Sequence, residues 1–234
     1  MQERDMADMN DTWSTVQWSY SGLKQYSTCA RQFHEVKILK NYPRQETEAT
    51  IYGTTLHEQA ELHIKDGRPL DPSFAFMQPT MDAINAMPGR KYTELEMAVT
   101  ADLRVCNFKD PKYWARGIAD LVIVDDDNLS ARCFDYKSGG NKYPDVDQLT
   151  LMSLMIFKHF PHVRTVSSGL LFVLKDTVTK HRVNRDQEEK LWWRYRERVG
   201  RIGLSMATGV WNPKQSGLCR GWCPCTGCEF NSKH

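Results

Sequence analysis

The chain is 234 residues long, and 31 basic residues against 29 acidic ones leave a formal net charge of +2. This length suits one domain with a proper core, or one domain and a small appendage. The near-balanced charge does not by itself indicate a nucleic-acid partner. No apolar run approaches the length of a membrane span, and the polar start differs from a secretory signal. We therefore expect a cytoplasmic protein without a membrane partner, in which thiols stay reduced.

Helical patterns fill the N-terminal third of the chain. Residues 1–17 are polar and are expected to be flexible. Capping residues and helix-stopping Gly and Pro then predict three helices, the third of which Pro79 kinks or splits. These helices cover residues 22–39, 48–65 and 73–87.

Strand patterns follow, and they alternate with two further helices. The predicted strands cover residues 92–99, 114–124, 130–136, 169–174 and 177–183. The predicted helices cover residues 147–160 and 186–208. This order of elements predicts an α/β domain, followed by a tail rich in Gly, Pro and Cys.

The strands that carry Asp120 and Asp135 are joined by a tight turn and predict an antiparallel hairpin. A two-residue loop at 127–128, or a four-residue loop at 126–129, puts Asp120 directly opposite Asp135. A two-residue loop at 126–127 moves Asp135 one diagonal step away on the same face. Lys137 projects from this face as well, since it lies two residues beyond Asp135.

Two carboxylates and a lysine in this arrangement suit metal-assisted cleavage of phosphodiester bonds. Oxygen ligands favour Mg²⁺ or Mn²⁺, which would activate a water molecule, and Lys137 would stabilise developing charge. A plainer alternative is that Asp120 lies at a strand end while Asp135 and Lys137 form a surface ion pair. The D-x-K motif alone does not decide between them.

Other polar residues are weaker candidates for the same site. His57 lies one helical turn before Glu61 and is a candidate ligand, although a hydrogen-bonded core histidine is the commoner case. Gln148 begins the helix after the hairpin, where it would contact substrate or simply occupy a first turn. Glu94 and Glu96 share one face of the preceding strand, which is either part of the metal shell or solvated.

Cysteines are concentrated near the end of the chain, in a segment rich in Gly and Pro. Close thiolates of this kind bind zinc or an iron–sulfur cluster, and free thiols are a less favoured alternative. The tail would use its own four cysteines, or three of them together with Cys29 from the first helix. The tail cysteines are Cys219, Cys223, Cys225 and Cys228.

The last long helix carries a basic stripe and two adjacent tryptophans. Arg194, Arg198 and Arg201 follow i, i+4, i+7 spacing and are candidate DNA contacts, with a solvated face as the equal alternative. Trp192 and Trp193 are candidates for base stacking, but neighbours on a helix cannot face the same way.

Four short motifs occur in a fixed order: G-x-x-x-H at 53–57, G-x-x-D at 117–120, D-x-K at 135–137, and then Gln148. Earlier, W-S-Y-S at 18–21 precedes C-A-R-Q-F at 29–33. This ordered set resembles the RecB-like branch of the PD-(D/E)XK nuclease superfamily. The resemblance implies an α/β fold with a central mixed sheet flanked by helices (a restriction-endonuclease-like core), and a cysteine-pinned C-terminal tail.

The resemblance also implies roles for the site residues. His57, Asp120 and Asp135 would hold Mg²⁺ or Mn²⁺ together with the backbone carbonyl of Tyr136, and Lys137 would act at the scissile phosphate. Gln148 matches the start of the family's Q-x-x-x-Y motif. The tyrosine position of that motif is Met152 here.

Compact members of this branch, of the CRISPR-associated adaptation or phage type, bind a [4Fe–4S] cluster through one early and three late cysteines. Cys29 matches the early ligand, but the usual late pattern, C-x-x-C followed by a more distant cysteine, is not matched, since the only C-x-x-C runs from Cys225 to Cys228. We select Cys219, Cys223 and Cys228 as the late ligands because their spacing is the most even, with Cys225 as the alternate and Zn²⁺ as the alternative metal. The implied organisation is a nuclease domain at 18–210 and a cysteine-rich tail at 211–234 that packs back on the N-terminal helix.

The expected function is therefore that of a metal-dependent DNA exonuclease for recombination, repair or DNA processing, acting in the host cytoplasm if the gene belongs to a phage. The expected partner is DNA, with a homo-oligomer or a recombination or replication protein as further possibilities. The alternatives are a non-catalytic DNA-binding or adaptation module on a nuclease fold, and a zinc-stabilised structural protein.

Overall fold

A computed structural model describes residues 12–43 and 46–232. Residues 1–11 of the predicted flexible N-terminus lie outside this part. The rest of that predicted segment contains a 3-10 helix at Thr12–Thr15 and a buried residue, Val16. The chain divides into two compact units. One is Glu46–Trp192, and the other combines the segments before and after it, so the predicted nuclease domain at 18–210 contains parts of both.

The predicted helix at 22–39 is broken at Cys29. The observed elements are strand β1 (Trp18–Ser19), helices α1 (Tyr20–Thr28) and α2 (Ala30–Phe33), and a π-helical turn at His34–Ile38. Cys29 adopts an extended backbone, with φ −161°. Its sulfur accepts a hydrogen bond from the backbone N–H of Gln32 at 3.5 Å. Cys29 therefore ends one helix and caps the next, which a continuous apolar pattern does not reveal.

The next two predicted helices are confirmed. Helix α3 (Glu48–Asp66) begins at a capping box formed by Thr47 and Thr50, and Gly67 ends it with φ 66°. A 3-10 helix at Pro72–Met77 then leads into helix α4 (Gln78–Asn85). Pro79 lies in the first turn of α4, where its missing N–H costs nothing, so the predicted split occurs there.

The larger unit contains the predicted central mixed sheet. Its strands are β2 (Arg90–Val99), β3 (Val105–Cys106), β4 (Ala115–Asp125), β5 (Ser130–Lys137), β6 (Thr165–Phe172) and β7 (Thr177–Asn184). They lie in the order β3-β2-β4-β5-β6-β7, with β5 and β6 parallel and the other neighbours antiparallel. Strand β3 was not predicted, because two residues carry no periodicity.

The hairpin of β4 and β5 has one of the predicted registers. Asp125 pairs with Ser130 and Leu121 with Phe134, so the loop is the four-residue one at 126–129. In this register the next position places Asp120 opposite Asp135, as the sequence predicted.

Helices cover the sheet on both faces. Helices α3 and α4 pack on side chains such as Leu121 and Ile123. Helix α5 (Val146–His159), which packs on the opposite face, is buried from Leu149 to Phe157. A Cβ added at Gly117 would lie 2.5 Å from Cε of Met152, so the flexible end of the Met152 side chain fills the space beside this glycine.

The last helix, α6 (Glu188–Thr208), follows a 3-10 turn at Arg185–Gln187. Trp192 is buried and Trp193 is 60% exposed, so the two tryptophans face opposite ways, as predicted. No helix within the described ranges has the length and hydrophobicity needed to cross a membrane.

Candidate metal centre

The carboxylate of Asp120 lies where the ladder between β4 and β5 ends. The last backbone pair is Leu121 with Phe134. Beyond it, Oδ2 of Asp120 accepts the backbone N–H of Tyr136 at 2.7 Å. The side chain thus takes the place of a backbone acceptor, which fixes the carboxylate between the two strands.

Helix α3 brings His57 to this carboxylate. Nδ1 of His57 lies 3.3 Å from Oδ2 of Asp120. One turn earlier, a Cβ at Gly53 would lie 3.2 Å from Oγ of Ser138, the residue that follows β5. A side chain at this position would crowd Ser138, so the glycine leaves room for α3 to approach the end of β5.

Asp135, Lys137 and Gln148 form a closed polar network. Nζ of Lys137 lies 2.5 Å from Oδ2 of Asp135 and donates to Oε1 of Gln148 at 3.3 Å. Nε2 of Gln148 donates to Oδ1 of Asp135 at 2.6 Å. The predicted residues from β5 and α5 are thus brought together, with both carboxylate oxygens of Asp135 and the amine of Lys137 held in place.

Glu94 is the site residue that the sequence indicated least clearly. Ligand atoms of His57, Glu94 and Asp120 all lie within 4.8 Å of one another. Glu94 has φ 45°, while its neighbours Thr93 and Leu95 pair regularly with β4. The strand is therefore distorted at one residue without losing its register. The only feature of the sequence that indicated a role for Glu94 was its acidic side chain on the strand before the hairpin.

The electrostatics show that negative charge is crowded in this site. Burial and the nearby Asp120 raise the pKa of Glu94 to about 7 and that of Asp135 to about 6. Burial lowers the pKa of His57, but the hydrogen bond and charge of Asp120 outweigh it and the net pKa is raised. These are the effects expected where several carboxylates lie close together in a partly buried site.

The donor set of this site fits a divalent cation. It offers carboxylate oxygens, which Mg²⁺ and Mn²⁺ prefer, and one imidazole nitrogen, which transition metals accept readily. The fold and the site together define an α/β nuclease of the restriction-endonuclease-like class. The PD-(D/E)XK nuclease superfamily matches residues 17–232, and the chain belongs to this superfamily.

Two solved structures are similar to this chain. A protein from Eubacterium rectale, named as a predicted exonuclease, is 11% identical, covers 95% of this chain and 92% of its own, and superposes with a TM-score of 0.52. The protein SSO0001 is 11% identical, covers 98% of both chains and has a TM-score of 0.44. At such identity the first likeness shows a shared fold. No curated protein matches the chain.

Five cysteines meet in the smaller unit. They surround a cavity of ≈ 20 Å³ and are Cys29, Cys219, Cys223, Cys225 and Cys228. Around them, Trp211 stacks on His34 at 4.6 Å and Arg31 pairs with Glu229 at 3.0 Å. The tail after α6 therefore packs on the first helices of the chain within this unit.

Four of these sulfurs accept hydrogen bonds from N–H groups. Cys29 accepts from Lys214 at 3.4 Å, Cys219 from Ser216 at 3.4 Å, and Cys223 from the amide of Gln32 at 3.6 Å. Burial raises the pKa of the Cys228 thiol, and a backbone hydrogen bond from Phe230 opposes this. Cys225 differs, since burial and its neighbour Cys223 raise its pKa to about 12.

The candidate DNA-contacting arginines lie in the smaller unit. Arg194 and Arg201 are exposed, whereas the guanidinium of Arg198 lies 5.5 Å from the ring centre of Tyr195.

Proposed function

We propose that this chain is a Mg²⁺- or Mn²⁺-dependent DNA exonuclease for recombination, repair or DNA processing of the phage type. The observation that carries the proposal is the pairing of Lys137 with Asp135 at 2.5 Å beside Asp120 and His57. Membership of a nuclease superfamily supports it. The shared fold with a protein named as a predicted exonuclease agrees with the exonuclease part of the proposal.

In this proposal His57, Asp120, Asp135 and the backbone carbonyl of Tyr136 hold the cation, and Glu94 adds a further carboxylate. The cation, when bound, polarises a phosphate oxygen and lowers the pKa of the attacking water. Occupation of the site would also offset the crowding of negative charge that raises the pKa of Glu94 and Asp135.

The remaining chemistry belongs to side chains of the polar network. Lys137 presents a cation whose position Asp135 and Gln148 fix through contacts of 2.5 and 3.3 Å. A charge held in place before substrate arrives stabilises negative charge that develops on the phosphate without reorganisation cost. Gln148 is in this proposal a positioning residue, because it orients both Lys137 and Asp135.

Cleavage of linear and circular DNA tests the exonuclease proposal. With Mn²⁺, the protein is expected to shorten an end-labelled linear strand to nucleotides or short fragments, and to leave the same sequence as a closed circle intact. EDTA is expected to stop the reaction. Equal cleavage of the circle would make the protein an endonuclease, and binding without cleavage would make it a non-catalytic module.

We also propose that Cys29, Cys219, Cys223 and Cys228 bind a [4Fe–4S] cluster that clips the tail to the first helices. N–H donors lower the free energy of a thiolate and tune cluster sulfurs, and these four cysteines have such donors.

A Cys29→Ser variant is expected to lose the cluster, because the serine hydroxyl is a poor iron ligand. Without the cluster, α1 and α2 are no longer linked to the tail through iron. Iron and sulfide content and visible absorbance after anaerobic purification measure this, with at least a ~10-fold fall in iron expected. Cys106→Ser, at a half-buried cysteine in the other unit, is the control. Zinc in place of iron in the wild type would refute the cluster.

A further inference from the structure

A surface loop at 138–145 joins strand β5 to helix α5, and both of its ends lie at the candidate metal centre. Lys137 is the last residue of β5, and Gln148 lies in the first turn of α5. The hydrogen bond from Lys137 to Gln148 at 3.3 Å holds the two ends of the loop together. The loop is only eight residues long, so its tip cannot lie far from Lys137.

The middle of this loop is attached to the face of the sheet that carries the side chains of Asp135 and Lys137. Nδ2 of Asn141 donates to Oγ1 of Thr177, the first residue of β7, at 3.0 Å. Thr177 pairs with Phe172, and Phe172 pairs with Lys137. Residues opposite each other in a ladder share a face, and two strand spacings amount to about 10 Å. Asn141 is therefore held on the same face as Lys137, about 10 Å from it along the row.

The loop presents an aromatic ring and a cation to solvent. Tyr143 is 83% exposed, the largest fraction among the large apolar side chains of the described residues. Nζ of Lys142, which is exposed as well, lies 5.3 Å from the centre of the Tyr143 ring. A Cβ added at Gly139 or Gly140 would meet no atom within 4 Å, so the first part of the loop also borders open space.

Tyr143 lies within reach of a nucleotide bound at the candidate metal centre. It is two residues beyond Asn141, a step of at most about 7 Å, and three residues before Val146, where α5 begins. Nucleotides of one strand follow each other at about 3.4 Å or more, so the first few bases beside the scissile phosphate lie in this range. Aromatic side chains stack on unpaired bases of any sequence, and an exposed ring at this place has the chemistry to do so.

We propose that Tyr143 stacks on a base of the DNA strand whose scissile phosphate lies at the metal centre, and so positions that strand for cleavage. This rests on the proposed nuclease function and adds a substrate-positioning residue to it. The competing explanation is a solvated loop residue, because single exposed apolar side chains are common on protein surfaces. Stacking makes the contribution of the ring depend on a base of the substrate, whereas a solvated ring contributes nothing to binding.

The test measures single-turnover cleavage of an end-labelled DNA strand with Mn²⁺ over a range of protein concentrations. Tyr143→Ala is expected to raise the half-saturating protein concentration about 10-fold through the lost stacking contact, and to change the maximal rate less than about 3-fold. Tyr143→Phe keeps the ring and is expected to behave as wild type. Phe76→Ala is the matched control and keeps both wild-type values, since Phe76 is a 42% exposed aromatic residue on the 3-10 helix before α4, on the opposite side of the sheet.

Strands that lack one base test whether the ring acts on a base. An abasic residue is placed in turn at each of the first four positions from the end that is degraded. At one of these positions the half-saturating concentration of the wild type is expected to rise about 10-fold. Tyr143→Ala is expected to show no further rise with that strand, because the ring and the base form one contact and their losses do not add.

Three results would overturn the role of Tyr143 in a wild type that cleaves DNA, and would leave the nuclease proposal standing. These are kinetics of Tyr143→Ala equal to those of Phe76→Ala, a Tyr143→Phe variant as impaired as Tyr143→Ala, and losses that add at all four abasic positions. A wild type that cleaves no DNA would overturn the proposed function itself, and the role of Tyr143 with it. Melting curves of the variants verify that they fold.

Discussion

A Lys137→Ala variant is expected to cleave DNA about 100- to 1,000-fold more slowly than wild type, with its affinity for Mn²⁺ little changed. Lys137 contributes a fixed positive charge beside the proposed scissile phosphate rather than a metal ligand. Its amine lies 2.5 Å from Asp135 and donates to Gln148 at 3.3 Å, so its removal leaves both partners in place. Single-turnover cleavage of an end-labelled strand measures the change.

Lys112→Ala is the matched control, because Lys112 is an exposed lysine on the loop before β4. It should cleave at the wild-type rate. If the Lys137→Ala protein is as active as this control, Lys137 has no role in the mechanism and the D-x-K motif is only an ion pair.

An Asp120→Asn variant is expected to fold normally and to lose at least ~100-fold in cleavage rate. The asparagine oxygen can still accept the N–H of Tyr136, so the end of the hairpin keeps its geometry. The change removes the negative charge that lies 3.3 Å from His57 and that raises the pKa of Glu94. Thermal melting in EDTA and the cleavage rate with Mn²⁺ separate the structural from the chemical effect.

Asp127→Asn, at an exposed position of the hairpin loop, is the control and should behave as wild type in both assays. If Asp120→Asn unfolds at a temperature well below that of the control, the carboxylate of Asp120 stabilises the fold rather than acting in catalysis. If it keeps full activity, the metal centre is not where we place it.

The hairpin was predictable from the sequence because strand periodicity and loop length together fix which residues oppose each other. Two of the three loops considered gave the observed register, in which Asp120 faces Asp135 across the end of the ladder. His57 was a candidate through its helical position, but its distance from Asp120 depends on how α3 packs on the sheet. That packing needs the close approach at Gly53, which is a tertiary property.

Glu94 and Cys29 show where sequence patterns fail. Glu94 enters the site through a positive φ that no propensity assigns to glutamate within a strand. Cys29 breaks a helix whose apolar pattern is continuous, since its extended backbone and sulfur cap depend on neighbours in the folded chain. Both deviations lie at candidate functional sites, where strained local geometry tends to persist.

Calorimetric titration of Mn²⁺ into metal-free wild type and Asp120→Asn tests the central claim most directly. The account predicts that the wild type binds a cation at the site of His57, Asp120 and Asp135, and that the variant binds it at least ~100-fold more weakly. Equal affinity of the two proteins for Mn²⁺ would contradict it.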